Sequence, residues 1–358
     1  MSERQERFSG VMPVREALAF EAGPLEAYMA EHVEGFRAPI EIEQFRGGQS
    51  NPTYRITDAN GRRTVLRRKP PGKLFKSAHA VDREYRVMTA LGDTDVPVPR
   101  TYALCDDESI TGSVFFLMDF VEGRIFWDPE LSSAEKGERA DLMDGMNEAI
   151  ARLHGVDYQA IGLGDYGRPG NYFARQISRW SRQYLEDEAA GRIDAMDRLI
   201  EWLPENIPAG DECGIVHGDF RIDNMIFHPS EPHVIAILDW ELSTLGHPLA
   251  DFSYNCLQYR LAPHMFSGMA GLDLQALGIP SEKEYVAAYC RRTGRNGIPD
   301  MDYYIAFNLF RLAGILHGIL GRVKRGTASS KYAEMQGALT EPMAAAAWAE
   351  VEKIIGKT

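Results

Sequence analysis

The sequence predicts an α+β fold in two lobes: an N-terminal antiparallel sheet with one helix against it, then a larger, mostly helical C-terminal lobe. Three observations carry this prediction. Apolar and polar residues alternate in short runs between Ile40 and Val121, as in half-buried strands. One helical stretch, "SAHAVDREYRVMTAL" (residues 77–91), interrupts them. After "EGRIFWDP" the pattern turns helical and stays so, apart from a pair of short strands around "IVHGDFRIDNMIFHP" (residues 215–229). The lobes are expected at residues 1–120 and 121–358, with a linker near residues 119–123. A chain of 358 residues is long enough for a core in each.

The elements follow in order. Residues up to about Glu34 read as a helical extension, with "GPLEAYMAEHV" as its best helix. "IEIEQF" alternates as a strand does, "RGGQSN" is a loop, and "TYRITDANGRRTVLRR" reads as a hairpin around Asn60-Gly61. "PPG" breaks the pattern before the helix at 77–91. "DVPVPRTYALCDD" and "GSVFFLMDFV" supply two more strands. "SAEKGERADLMDGMNEAIARLHGV" opens the helical lobe as a long amphipathic helix. "YFARQISRWSRQYLEDEA" and "AMDRLIEWLPEN" continue it, and everything beyond Asp251 reads as helix. The most apolar run, "YYIAFNLFRLAGILHGILG", carries Asn308, Arg311 and His317 near its middle. That fits a buried core helix better than a membrane span.

Composition narrows the class. Hydrophobic residues make up 44% and charged residues 25% of the chain, ordinary values for a globular protein. A net charge of −13 argues against a general nucleic-acid binder. The four cysteines form no CxxC pair or zinc pattern, and "MSERQERFSG" lacks the apolar core of a signal peptide. Reduced thiols and a cytoplasmic location are expected. So are a small-molecule substrate, no nucleic-acid or membrane partner, and at most a second copy of the chain in a homodimer.

The segment at 215–229 places His217, Asp219 and Asn224 between apolar runs, and "LDWE" brings Asp239 soon after. Phosphoryl transfer needs this set of groups. A carboxylate orients the attacking hydroxyl and takes its proton, and hard oxygen ligands hold Mg²⁺. A cation meets the nucleotide phosphates, and small residues let backbone approach them. Asp219 is the candidate base, and Asn224 and Asp239 are the candidate metal ligands. Arg67, on the strand "TVLRR", is the candidate phosphate cation, and Glu84, on the next helix, can hold it. Gly47, Gly48, Gln49, Ser50 and Asn51 form the candidate phosphate loop. Strand alternation puts Arg67 and Lys69 on one face and Arg68 on the other.

The order H-x-D-x-x-x-x-N, then D, with an upstream basic strand residue and a helix Glu, resembles the protein-kinase-like fold. "HGDFRIDNMIF", "ILDWE" and "GHPLADFSY" together resemble its aminoglycoside phosphotransferase and choline kinase branch. "GGQSNPTYRI", "VLRRKPPG", "DREYRVM" and "FRLAGILHGILGRV" resemble the kinase-like domains found with acyl-CoA dehydrogenases. The resemblance implies an ATP- and Mg²⁺-dependent kinase for a small-molecule hydroxyl, with a hydroxyacyl-CoA among the acceptors. It implies Asp219 as base, Asn224 and Asp239 as Mg²⁺ ligands, and Arg67 and Glu84 as the strand–helix pair. The backbone around Asp119 to Val121 is then the adenine-binding linker. Gly218 stands where many protein kinases have an arginine, which argues against a protein substrate.

Simpler readings stand beside these. Asp219, Asn224 and Asp239 can each be a turn-capping loop residue. Glu84 can be a solvated helix residue and Arg67 an exposed strand residue. Ser50 and Asn51 can simply shape a turn, and Gln49 can be solvated. His217 is expected to brace the catalytic loop, and Asp251 to brace it from a helix N-terminus. Glu241 can reach a metal or cap a turn. Two alternatives to a kinase are a nucleotide- or CoA-binding scaffold without turnover and a metallohydrolase. The basic residues of the last helices read first as a solvated face.

Overall fold

The computed structural model describes residues 9–47, 51–70, 80–265, 268–328 and 332–357. By compactness the chain forms two units, Met1–Tyr166 with Arg221–Ser243, and Gly167–Phe220 with Thr244–Thr358. The expected division at 120/121 separates element types; the division by compactness runs elsewhere.

In the first unit the described chain begins with strand β1 (Val11–Pro13) and helix α1 (Ala22–His32). Strands β2 (Glu41–Phe45), β3 (Thr53–Thr57) and β4 (Arg63–Arg68) follow. Helix α2 (Val81–Leu91), strand β5 (Thr101–Cys105), the short helix α3 (Glu108–Thr111) and strand β6 (Phe115–Asp119) complete the sheet region. Helix α4 (Arg139–His154) comes next. The six strands run in the order β1-β2-β3-β4-β6-β5, each pair antiparallel. The Asn60-Gly61 hairpin is present between β3 and β4, with Gly61 at φ +79°. The N-terminal extension is not wholly helical: β1 adds a sixth strand at the sheet edge. Three residues including a proline carry too little pattern to read as a strand.

Period-two alternation sorts the sheet residues onto two faces. Tyr54, Ile56, Leu66, Phe115 and Leu117 pack with Leu25, Met29 and Val33 in one apolar cluster, which buries α1 on that face. Thr53, Arg55, Val65, Arg67, Phe116 and Met118 line a cavity on the other. This unit also contains a hairpin from later in the chain, described with the site below.

The second unit is mostly helical. It contains α5 (Tyr172–Glu186), α6 (Asp194–Glu205) and the short strand β7 (Gly214–Val216). In the first unit β8 (Met225–Phe227) pairs antiparallel with β9 (Val234–Ile237). The second unit resumes with β10 (Thr244–Gly246), α7 (Pro248–Arg260) and α8 (Leu274–Leu277). It ends with α9 (Glu282–Thr293), α10 (Met301–Lys324), α11 (Ala333–Ala338) and α12 (Thr340–Ile355). The pair of strands expected around 215–229 is not a pair: β7 bonds to β10, and β8 to β9. Helix α10 packs against α5, α7, α11 and α12. It is long and apolar enough to cross a membrane, yet 83% of its apolar stretch is buried within the protein. The Asn308 amide nitrogen has partners there, donating to the Ala250 carbonyl at 2.8 Å and the Ser253 hydroxyl at 2.9 Å.

Candidate active site

A cavity of about 680 Å³ opens on the free face of the sheet. Arg67, Glu84, Asn224 and Asp239 line it, together with the apolar Val65, Met118, Ile226 and Leu238 and with residues near the linker. The cavity lies within the first compact unit because the β8–β9 hairpin belongs to that unit.

Alternation explains why Arg67 and not Arg68 reaches the cavity. Arg67 Nε lies 2.8 Å from Glu84 Oε2, and its Nη2 donates to Asp239 Oδ1 at 2.5 Å. Arg68 points the other way and is fully buried. It donates to the carbonyls of Thr111 and Leu18, and its guanidinium lies over the rings of Phe20 and Tyr54. Burial lowers its proton affinity, which Tyr54 partly offsets. Lys69 stands 3.5 Å from Asp82, on the same helix as Glu84.

Charge is unbalanced around Arg67. Burial opposes the guanidinium's charge, but Glu84, Asp239 and Glu241 together outweigh it and raise its proton affinity. Burial pushes the Glu84 carboxyl up to about 7; Arg67 pulls it down, while Asp239 and Glu241 push it up further. Three carboxylates thus share one guanidinium. Asn51 ties two of them together. It is fully buried, and its Nδ2 donates to Glu84 Oε1 at 3.0 Å and Glu241 Oε2 at 3.3 Å. Its side chain is therefore turned toward the carboxylates. Gly47 lines the cavity, while Gly48, Gln49 and Ser50 lie outside the described residues.

One hairpin brings Asn224 and Asp239 to the same place. A short 3₁₀ turn, Ile222–Asn224, leads directly into β8, and β9 runs out through Leu238 to Asp239. Met225 pairs with Ile237, and the Leu238 amide donates to the Asn224 carbonyl at 2.8 Å. Asp239 adopts a left-handed backbone, φ 65° and ψ 58°, a conformation uncommon for a non-glycine residue. Trp240 is fully buried and donates from its indole to the Ile237 carbonyl at 2.9 Å, anchoring the turn that carries Glu241.

The linker end is also braced. Arg124 and Phe227 exchange two backbone hydrogen bonds of 2.8 Å, which pins the chain after β6 to β8. Asp119 and Val121 line the cavity. The Asp119 amide donates to the Arg100 carbonyl at 2.8 Å, and its carboxylate accepts from the Tyr102 hydroxyl. The amide of Asp119 is thus engaged within the sheet.

Asp219 belongs to the second unit. Asp251, near the N-terminus of α7, accepts from the His217 amide at 2.7 Å and the Gly218 amide at 2.8 Å. His217 is fully buried, and its Nδ1 accepts from the Asp219 amide at 3.2 Å. Gly218 has φ +84°, a backbone that an arginine there would adopt only with strain. The Tyr254 hydroxyl donates to Asp219 Oδ1 at 2.6 Å. Arg311 donates to the Gly218 carbonyl at 2.8 Å and stands 5.5 Å from the Tyr254 ring centre. Other basic residues of the last helices serve the surface. Arg295 pairs with Glu212 and Arg325 with Asp187, and Lys324 donates to the Ala190 carbonyl. Among the described residues no three of His, Cys, Asp and Glu are grouped so as to hold a metal ion.

The family model described as "Phosphotransferase enzyme family" matches residues 41–302. The chain belongs to this phosphotransferase family. Mouse "Acyl-CoA dehydrogenase family member 10" is 46% identical to it over 343 residues, 94% of this chain and 32% of that protein. The chain thus spans about a third of that relative. A crystal structure from Ralstonia eutropha JMP134, provisionally described as an aminoglycoside phosphotransferase, is 52% identical with a TM-score of 0.86. The match covers 94% of this chain and 99% of that one. Choline kinase from Cryptosporidium parvum, at 12% identity, shares the fold with a TM-score of 0.61 over 94% and 97% of the two chains. The two-lobed kinase-like α+β fold expected from the sequence is the fold of this family member.

Sequence reasoning left Tyr254 unassigned and read Arg311 first as part of a solvated basic face. Tyr254 and Arg311 lie 35 and 92 residues from Asp219, and no local spacing ties either of them to it. The strings "GHPLADFSY" and "FRLAG" contained both residues without indicating their direction.

Proposed function

We propose that this phosphotransferase-family chain transfers the γ-phosphoryl group of ATP to the hydroxyl of a small molecule. The observation that carries the reading is that the Arg67–Glu84 pair lines one cavity with Asn224 and with Asp239, to which Arg67 also bonds. Mg²⁺, when bound, neutralises phosphate charge and fixes the geometry of the phosphate chain. The donor set fits it. Asn224 and Asp239 offer hard oxygens, and Magnesium usually takes one or two carboxylates and keeps its waters. Arg67 forks onto phosphate oxygens, with Glu84 setting its direction. The linker backbone at 119–121 meets the base. Asp219 orients the acceptor hydroxyl and accepts its proton as the new O–P bond forms and ADP departs. Tyr254 fixes one oxygen of that carboxylate.

A hydroxyacyl-CoA is the acceptor we favour. The mouse relative's name supports an acyl-CoA context, and Arg311 supplies positive charge beside Gly218. The test is thermal unfolding of wild type and Asp239→Ala with ATP and Mg²⁺, followed by an acceptor screen that starts with hydroxyacyl-CoAs. A ligand at a hundredfold excess over its Kd stabilises the native state by about 2.7 kcal/mol. We expect a Mg²⁺-dependent shift in wild type that is much reduced in the variant. No shift with any nucleotide sinks the reading. A shift without turnover on any acceptor leaves a nucleotide-binding scaffold.

A further inference from the structure

The cavity extends beyond the groups assigned to phosphate, metal and base. Its lining also includes Ser9, Gly10 and Val11, which come from the start of the described chain, together with Phe45 and Trp127. Phe45 and Trp127 belong to two sides of the fold, the sheet and the segment after the linker. Phe45 ends β2 on the sheet, and Trp127 follows the linker that Arg124 pins to β8.

The N-terminal segment bridges the two sides. Val11 pairs with Phe45, Met12 with Gln44 and Pro13 with Glu43. The Arg46 amide donates to the Gly10 carbonyl at 3.1 Å, and Arg46 Nε to the Val11 carbonyl at 3.3 Å. At the other side, the Trp127 indole donates to Ser9 Oγ at 3.0 Å. A three-residue edge strand containing proline is weakly held. Strands with so few ladder bonds open at low cost. The indole–hydroxyl bond joins this segment to the chain after the linker.

We propose that Ser9, Gly10 and Val11 form the outer wall of the nucleotide pocket, and that the Trp127–Ser9 bond is the clasp that retains the nucleotide. The proposal rests on the phosphotransferase reading. With the phosphates on Arg67 and the base at the linker backbone, this wall lies over the end of the ligand that would otherwise face water. Ser9 and Trp127 are then positioning residues for the nucleotide, and the N-terminal strand is part of its site.

The test measures the Kd of Mg·ADP by calorimetry for wild type, Ser9→Ala, Trp127→Phe and the double variant, with the melting temperature of each apo protein. Trp127→Phe keeps an aromatic wall and removes only the donor. Each single variant is expected to weaken ADP roughly five- to tenfold, the factor a single hydrogen bond carries. The double variant should be no weaker than the singles, because both remove one bond. Apo melting temperatures should stay close to wild type. Unchanged affinity in the single variants overturns the clasp, and so do additive losses, which would assign the effects to separate contacts. Wild type that binds no ADP overturns the nucleotide reading itself, a result distinct from either of these.

Discussion

Glu84 is buried among more negative charge than Arg67 offsets, and its carboxyl is pushed up to about 7 from an ordinary value of 4.5. The folded protein therefore holds this proton at pH values where the unfolded chain has lost it. Its contribution to stability is fully present below pH 4.5 and is lost as pH rises through 7. Glu84→Gln keeps an acceptor for Asn51 and cannot ionise. Relative to wild type, this variant should gain stability as pH rises from 4.5 to 7, at no more than about 1.4 kcal/mol per pH unit. Urea denaturation across that range measures it, and a flat difference would show that Glu84 titrates normally. The residue scale is also where the sequence was most readable. Strand alternation separates Arg67 from Arg68, and the structure sends them to opposite faces of the sheet. Asn51 was less readable. Its place in a glycine-rich loop suggested phosphate contact or a simple turn, whereas its amide reaches two carboxylates, one of them 190 residues away.

Among elements, the β8–β9 hairpin and the linker act as one structural piece. Gly123 shows how closely they meet: a Cβ there would stand 2.2 Å from the Phe227 carbonyl oxygen and 2.5 Å from the Ile226 side chain. Backbone cannot yield as a flexible side-chain tip can. Gly123→Ala should therefore cost about 2 kcal/mol or more in denaturant unfolding and weaken nucleotide binding along with it. Full stability in that variant would mean that the linker can slide away from β8. Element types were legible because each strand and helix repeats its own period. Pairing was not. Strands β7, β8 and β10 are three residues each, too short for a pattern to choose partners, and tertiary packing makes the choice. β1 escaped notice for the same reason.

Across the whole molecule, one cation gathers carboxylates from three helices and helps tie the C-terminal helix to the helical core. Arg260, at the end of α7, meets Glu282 at 2.7 Å, Asp302 at 3.2 Å and Glu350 at 3.0 Å. Burial disfavours its charge, but the carboxylates, Glu282 foremost, outweigh that and raise its proton affinity. Glu350 is only 5% exposed. Lys353 and Lys357 stay at 2.7 Å from Glu350 and Asp302, but Glu282 loses its cation and the buried Glu350 loses one of two, so Arg260→Ala should destabilise the protein by about 2 kcal/mol in urea unfolding. A near-neutral result would mean that water already solvates this cluster. The sequence announced α10 through its apolar run but not this cluster, whose members come from four helices and share no spacing.

The hairpin that carries Asn224 at one foot and Asp239 at the other has a further consequence. The separation of those two side chains is fixed at the base of the strands, while the strands turn at residues 228–233, where His228 and His233 stack at 4.9 Å. The turn lies four residues from the Asn224 foot and six from the Asp239 foot. Sequence length there is decoupled from the spacing of the proposed metal ligands. The tip itself is held from the linker side, where Arg124 donates to the His228 carbonyl at 3.0 Å and the Glu231 carbonyl at 3.1 Å, so a graft there keeps both feet in place only if it spares those two carbonyls.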